Sequence, residues 1–64
     1  MNGNADAQLL NFIYQNSQMG VNSLKEILPM VKEGTFKDGL NAQLKEYQQI
    51  HQEAGKRLNS AGYD

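Results

Sequence analysis

The chain has 64 residues, six basic and seven acidic, with a formal net charge of −1; it makes one small domain, and its singly placed Lys and Arg give no basic stripe for nucleic acid. There is no cysteine, hence no disulfide framework and no thiolate metal site, and since a core this small rarely supplies more than about 3–5 kcal/mol, oligomerisation is the expected remedy. No apolar run approaches the roughly 20 residues that span a bilayer, and no basic segment leads an apolar one at the N-terminus, so the expectation is a soluble, cytoplasmic protein.

Met1-Asn2-Gly3 reads as a frayed lead. Asn4 is suited to cap a helix, with Asp6 in the first turn where the helix dipole favours negative charge. From there Leu10, Tyr14, Ser17, Val21, Leu24, Leu28 and Val31 alternate steps of four and three, the spacing of a heptad seam. Leu9, Ile13 and Ile27 widen it on one side into the stripe of a bundle helix. Two residues weaken this helix. Gly20 costs about 1 kcal/mol relative to Ala in a helix interior, and Pro29 removes a donor and crowds the carbonyl of Lys25. Because the apolar pattern continues in phase through Val31, the spacing predicts a helix over about residues 5–33, kinked near Pro29, with a break at Leu28 as the alternative.

Gly34 is the expected stop, since it enters a left-handed backbone conformation without a Cβ penalty and suits a helix C′ position. Lys32 would then sit in the last turn, near the exposed carbonyls. Thr35 is the expected N-cap of the next helix, its hydroxyl accepting from the Asp38 amide, and the Asp38 carboxylate reaches back as in a capping box. After this turn Leu40, Leu44, Tyr47, His51, Ala54, Leu58 and Ala61 repeat the four-and-three alternation. Phe36 starts that stripe and Ile50 widens it, which predicts a second helix over about 36–61, ended by Gly62 before a short Tyr63-Asp64 tail. Lys45, Gln49, Gln52 and Lys56 form its solvated face.

Two helices of similar length joined by a short turn describe an antiparallel hairpin. The two seams interlock in one constant register: Leu28 with Leu40, Leu24 with Leu44, Val21 with Tyr47, Ser17 with His51, Tyr14 with Ala54, and Leu10 with Leu58. Bulky residues often meet small ones, as dense packing requires.

At about 100° per residue, Phe12, Met19 and Met30 fall directly behind the seam of helix 1. A lone hairpin leaves that stripe uncovered. The expected interface therefore comprises Phe12, Met19 and Met30 with Leu9, Ile13 and Ile27. Helix 1 becomes the inner helix, and two hairpins close a four-helix bundle as a homodimer. A different protein partner docking on the Met/Phe face is the alternative, since Met suits adaptable surfaces.

His51, the one imidazole, lies in register with Ser17. No oxyanion hole or orienting carboxylate accompanies the pair, so a hydrogen-bonded seam pair is expected rather than a nucleophile and its base. A bundle metal site would need Glu-x-x-His facing inward. Glu46 and Glu53 stand five residues before and two after His51, sharing no helical face with it, and Glu26 lies behind the seam of helix 1. No metal, cofactor or catalytic residue is expected. Tyr14 and Tyr47 read as core aromatics with hydroxyls at the bundle edge, and Lys45, Glu46, Glu53, Lys56 and Arg57 as a solvated face.

Leu9-Leu10-Asn11-Phe12-Ile13-Tyr14-Gln15-Asn16-Ser17-Gln18-Met19-Gly20, followed by Leu44-Lys45-Glu46-Tyr47, resembles a family of small bacterial ferritin-like helical proteins, found largely among Firmicutes. In these, "L-x-x-I-Y-x-N-x-x-M-G" opens a long helix and "L-x-x-Y" comes early in the next. The resemblance implies a helical hairpin that makes half of a four-helix bundle, and relatives usually carry a second hairpin that completes it. A second copy, or a missing half, would cover Phe12, Met19 and Met30. The ferritin-like label implies iron chemistry, but the ligand pattern is not matched and no metal residue carries over. The expected function is thus a non-catalytic structural or interaction module that self-associates; the alternatives are a metal-binding ferritin-like oligomer and a small regulator of another protein.

Overall fold

The computed structural model describes residues 3–60, with side chains from residue 5 onward. Met1-Asn2 of the expected lead, and Ala61, Gly62 and the tail, lie outside the described residues; the first helix already includes Gly3 and Asn4, so Asn4 stands inside it rather than at its cap. Helix α1 runs from Gly3 to Ile27, a 3₁₀ turn follows over Leu28–Met30, and helix α2 spans Thr35–Ser60. No strand occurs among the described residues. The two helices pack against each other along their length as a hairpin with extents of 46 × 16 × 14 Å.

The connection differs from the sequence expectation in three places, each with a backbone cause. Helix α1 does not continue to residue 33; it stops at Ile27. Pro29 cannot donate to the Lys25 carbonyl and its ring crowds that oxygen, so the chain tightens into the 3₁₀ turn that Pro tolerates near its start. The Val31 amide closes the turn on the Leu28 carbonyl at 3.1 Å, and Val31 itself is extended (φ −98°, ψ 134°). Lys32 therefore lies beyond the helix, and Lys25 supplies the positive charge in the last turn of α1.

Gly34 is needed, though not as a helix C′ residue. Its φ is +149°, a conformation that disfavours side chains, and its carbonyl accepts the Asp38 amide at 3.0 Å. That bond makes Gly34 the residue preceding α2, and Thr35 the first residue inside it, so the amide intended for a Thr35 hydroxyl cap is already taken. Across this start, Lys37 Nζ meets Glu33 Oε1 at 3.1 Å. The Glu33 side chain is almost fully solvated, so the pair contributes little.

The core is one line of side chains between two helices. Val21, Leu24 and Leu28 are buried toward the turn end and Ala54 and Leu58 toward the open end, with Ser17 buried between, while Leu10, Leu40, Leu44 and His51 are half-buried. No described side chain is fully enclosed, as expected of a single layer two helices wide. Phe36, expected to open the stripe of α2, is 72% exposed. Continuing the seam register would set it opposite Lys32, which lies in the non-helical connection, so nothing covers it.

Two glycines set the close approach of the helices. A Cβ on Gly20 would stand 3.1 Å from the ring of Tyr47, and one on Gly55 would stand 3.0 Å from Cε1 of Tyr14. Each helix thus lends one bare backbone position to a tyrosine of the other. The cost of Gly20 to α1 is offset by the ring that lies upon it.

Candidate functional site: the Ser17–His51 clamp and the uncovered face of α1

The seam register brings Ser17 and His51 together, 3.3 Å from Oγ to Nδ1. Two further contacts fix what this pair can do. His51 Nδ1 lies 2.9 Å from the Tyr14 carbonyl, and a carbonyl only accepts, so Nδ1 carries the proton and donates it. Ser17 Oγ lies 2.7 Å from the Ile13 carbonyl and 3.0 Å from that of Tyr14, so its single proton turns back into its own helix. The hydroxyl oxygen is then an acceptor toward Nδ1–H. A base for Ser17 would need the reverse polarity at Nδ1. The Tyr14 ring stacks on the imidazole with centroids 4.0 Å apart at 26°. The cluster is a clamp between α1 and α2, and no buried side-chain polar atom among the described residues lacks a partner.

Carboxylates do not converge among the described residues. Among the described residues no three of His, Asp and Glu come together in a way that holds a metal ion. Glu26 and Glu46 are exposed, and Glu53 is paired loosely with Arg57 at 3.8 Å. Tyr14 and Tyr47, expected as core aromatics, are each more than a third exposed.

The other feature is what α1 leaves open. Phe12 is 66% exposed, Met19 62% and Leu9 59%; Ile27 is also exposed, and Ile13 is half-buried. Met30 is the most open of all at 77%. The helical angle that grouped Met30 with Phe12 and Met19 does not apply, because the break at Leu28 ends the helical phase before it. Its place beside the exposed end of α1 is what remains. Between them Asn16 donates its side-chain amide to the Phe12 carbonyl at 2.7 Å.

Two signals enlarge this face beyond the apolar angles. No charged residue stands between Asp6 and Lys25, so about five turns of an exposed helix carry no charge on any side. Surface helices normally bear charges opposite their core stripe. On α2, Tyr47 and Ile50 are exposed apolars, and they stand on the flank where Tyr47 covers Gly20. There Ile50 and Ile13 face one groove of about 340 Å³, completed by Leu10, Ala54, Glu53 and Arg57.

No helix among the described residues is long and apolar enough to cross a membrane. Among family models, curated proteins and solved structures, none matches this chain.

Proposed function

We propose that this chain is a non-catalytic structural and interaction module whose hairpins self-associate through the uncovered face of α1 into a four-helix bundle. The observation that carries the reading is the uncharged, apolar exterior of α1: Leu9, Phe12, Met19 and Ile27 lie open on a helix without charge from Ala7 to Leu24. Depletion of charge with exposed aromatic and Met side chains is the composition of an interface core. Each of those side chains is worth roughly 1.5–3 kcal/mol when fully covered, which matters for a hairpin with no fully enclosed side chain. A standard interface takes about 800 Å² from each partner, about a sixth of this chain's 4998 Å². Such a face can supply that.

The resemblance to ferritin-like hairpins enters this reading as a proposal of bundle shape, in the cytoplasm, and not of iron chemistry. Sedimentation equilibrium over a range of protein concentrations tests it. The expected result is a dimer that dissociates only on dilution. A helical monomer at every concentration would overturn self-association and direct attention to a heterologous protein on the same face.

A further inference from the structure

Resting on that self-association, the two broad sides of the hairpin differ in a way that bears on how far a second copy reaches. One side is marked by the ring of Tyr47 against Gly20 and by the groove that Ile13 and Ile50 share. There α1 presents Ile13, Gly20 and Ile27 along one line, two full turns apart, with Leu9 one turn from Ile13. The other side is marked by the ring of Tyr14 against Gly55. There the line beside Tyr14 is Asn11, Gln18 and Lys25, and the line through Gly55 carries Asn41 and Gln48, all polar. We infer that the second copy covers the Tyr47 side across both helices, from Leu9 and Ile27 on α1 to Tyr47 and Ile50 on α2, with the Ile13–Ile50 groove inside the contact.

Ile50 is the residue that asks for this cover. It is 46% exposed and stands between two hollows. One is the groove of about 340 Å³ between the helices, and the other, of about 140 Å³, lies along α2 between Gln43, Glu46 and Tyr47. A partner resting on α1 alone would leave Ile50 and both hollows in water, whereas the core of an interface is packed as densely as a protein interior. The extent of the side fits as well. It measures 46 by 16 Å, roughly 700 Å², close to the about 800 Å² that each partner gives to a standard interface. Phe12 and Met19 lie at its outer edge.

The charges favour a second copy as the occupant. Leu9, Ile13, Gly20 and Ile27 bring none, and the α2 rim of the two hollows carries Glu46, Glu53 and Arg57. A two-fold contact sets this surface against itself, so a rim of one sign would repel its copy. This rim carries both signs, and Arg57 is held only by the 3.8 Å contact to Glu53, which leaves its guanidinium able to meet a carboxylate across the contact.

Protection of a thiol tests the footprint on a chain without cysteine of its own. Ile50 and Gln52 are both exposed on α2, and two residues apart they point to different sides. Replacing either by Cys leaves the seam intact, which circular dichroism verifies. The probe is iodoacetamide under reducing conditions, at protein concentrations below and above dimerisation of the unsubstituted chain. Ile50→Cys should react at least about tenfold more slowly in the dimer, whereas Gln52→Cys should keep its rate within about twofold. A folded Ile50→Cys that stays monomeric where the unsubstituted chain is a dimer would equally place Ile50 in the contact. A dimeric Ile50→Cys that reacts at its monomer rate would overturn the inference and leave self-association standing on α1 alone. Equal slowing of both variants would overturn it too, since both sides would then be covered. An unsubstituted chain that is monomeric at every concentration would overturn both readings together.

Discussion

His51 on α2 donates its Nδ1 proton to the main-chain carbonyl of Tyr14 on α1, at 2.9 Å, while the Tyr14 ring lies stacked upon it. The same residue therefore holds the imidazole by its backbone and by its side chain. Ser17, which sits in register with His51, is the lesser partner: its contact is longer, and its proton is spent inside α1.

This asymmetry makes two alanine substitutions unequal. His51→Ala removes the inter-helix hydrogen bond and the stacked ring, and should cost about 1–2 kcal/mol. In a chain this short that lowers Tm by roughly 5–15 °C. Ser17→Ala leaves Nδ1–H its carbonyl partner and should change stability by less than about 0.5 kcal/mol. Thermal denaturation followed by circular dichroism distinguishes them; equal losses would mean that the Ser17 hydroxyl, not the carbonyl, holds His51.

Glycine to alanine should also have opposite signs at two places in α2. At Gly39 a Cβ meets nothing within 4 Å, so Gly39→Ala gains helix propensity and should stabilise by about 0.5–1 kcal/mol. At Gly55 the Cβ would stand 3.0 Å from the Tyr14 ring. That ring cannot withdraw without leaving His51, so Gly55→Ala should lose about 1 kcal/mol net, despite the same propensity gain. A stabilising Gly55→Ala would show that the Tyr14 stack yields at no cost.

Gly34→Ala should be destabilising for a different reason. Space is open around Gly34, yet its φ of +149° is strained for any side chain. The substitution should cost on the order of 1–3 kcal/mol, read as a lower Tm with the helical spectrum of the folded state unchanged. No loss would mean that the turn before α2 has a second, unstrained conformation.

Why some of this was legible and some was not follows from what periodicity encodes. The seam residues Val21, Leu24, Leu28, Ala54 and Leu58 emerge from spacing alone, because burial is what sets a four-and-three pattern. Spacing also kept Met30 and Val31 in phase past Pro29, but phase says nothing about a missing donor, and the donor decided where α1 ends. Gly34 and Thr35 are both fit to precede a helix; which carbonyl takes the first amide is a backbone matter that residue type leaves open. The Tyr14–His51 stack lies off the one-to-one register because long side chains lean along the helix axis. The role of Gly55 is not legible in the sequence, since a glycine within a helical pattern reads as a weakness until the opposing ring is known. For the open face, the absence of charge from Ala7 to Leu24 was the plainer signal, and it needs no angle at all.

The last prediction separates the hairpin from its assembly. Leu24 is buried between the helices, so Leu24→Asp puts a carboxylate into the core of the hairpin and should abolish folding. Met19 is 62% exposed on the hairpin, so Met19→Asp should leave the two helices formed in any monomer. If two copies bury Met19 between them, each dimer would then enclose two unpaired carboxylates, and its Kd should rise at least about 100-fold, roughly 2.7 kcal/mol. Gln52→Asp, exposed on the solvated face of α2, should leave Kd within about threefold and serves as the charge control. Sedimentation equilibrium of the three variants reads these outcomes. An unchanged dimer for Met19→Asp would remove Met19 from the interface, whereas loss of helix in that variant would mean that the hairpin cannot stand without its second copy.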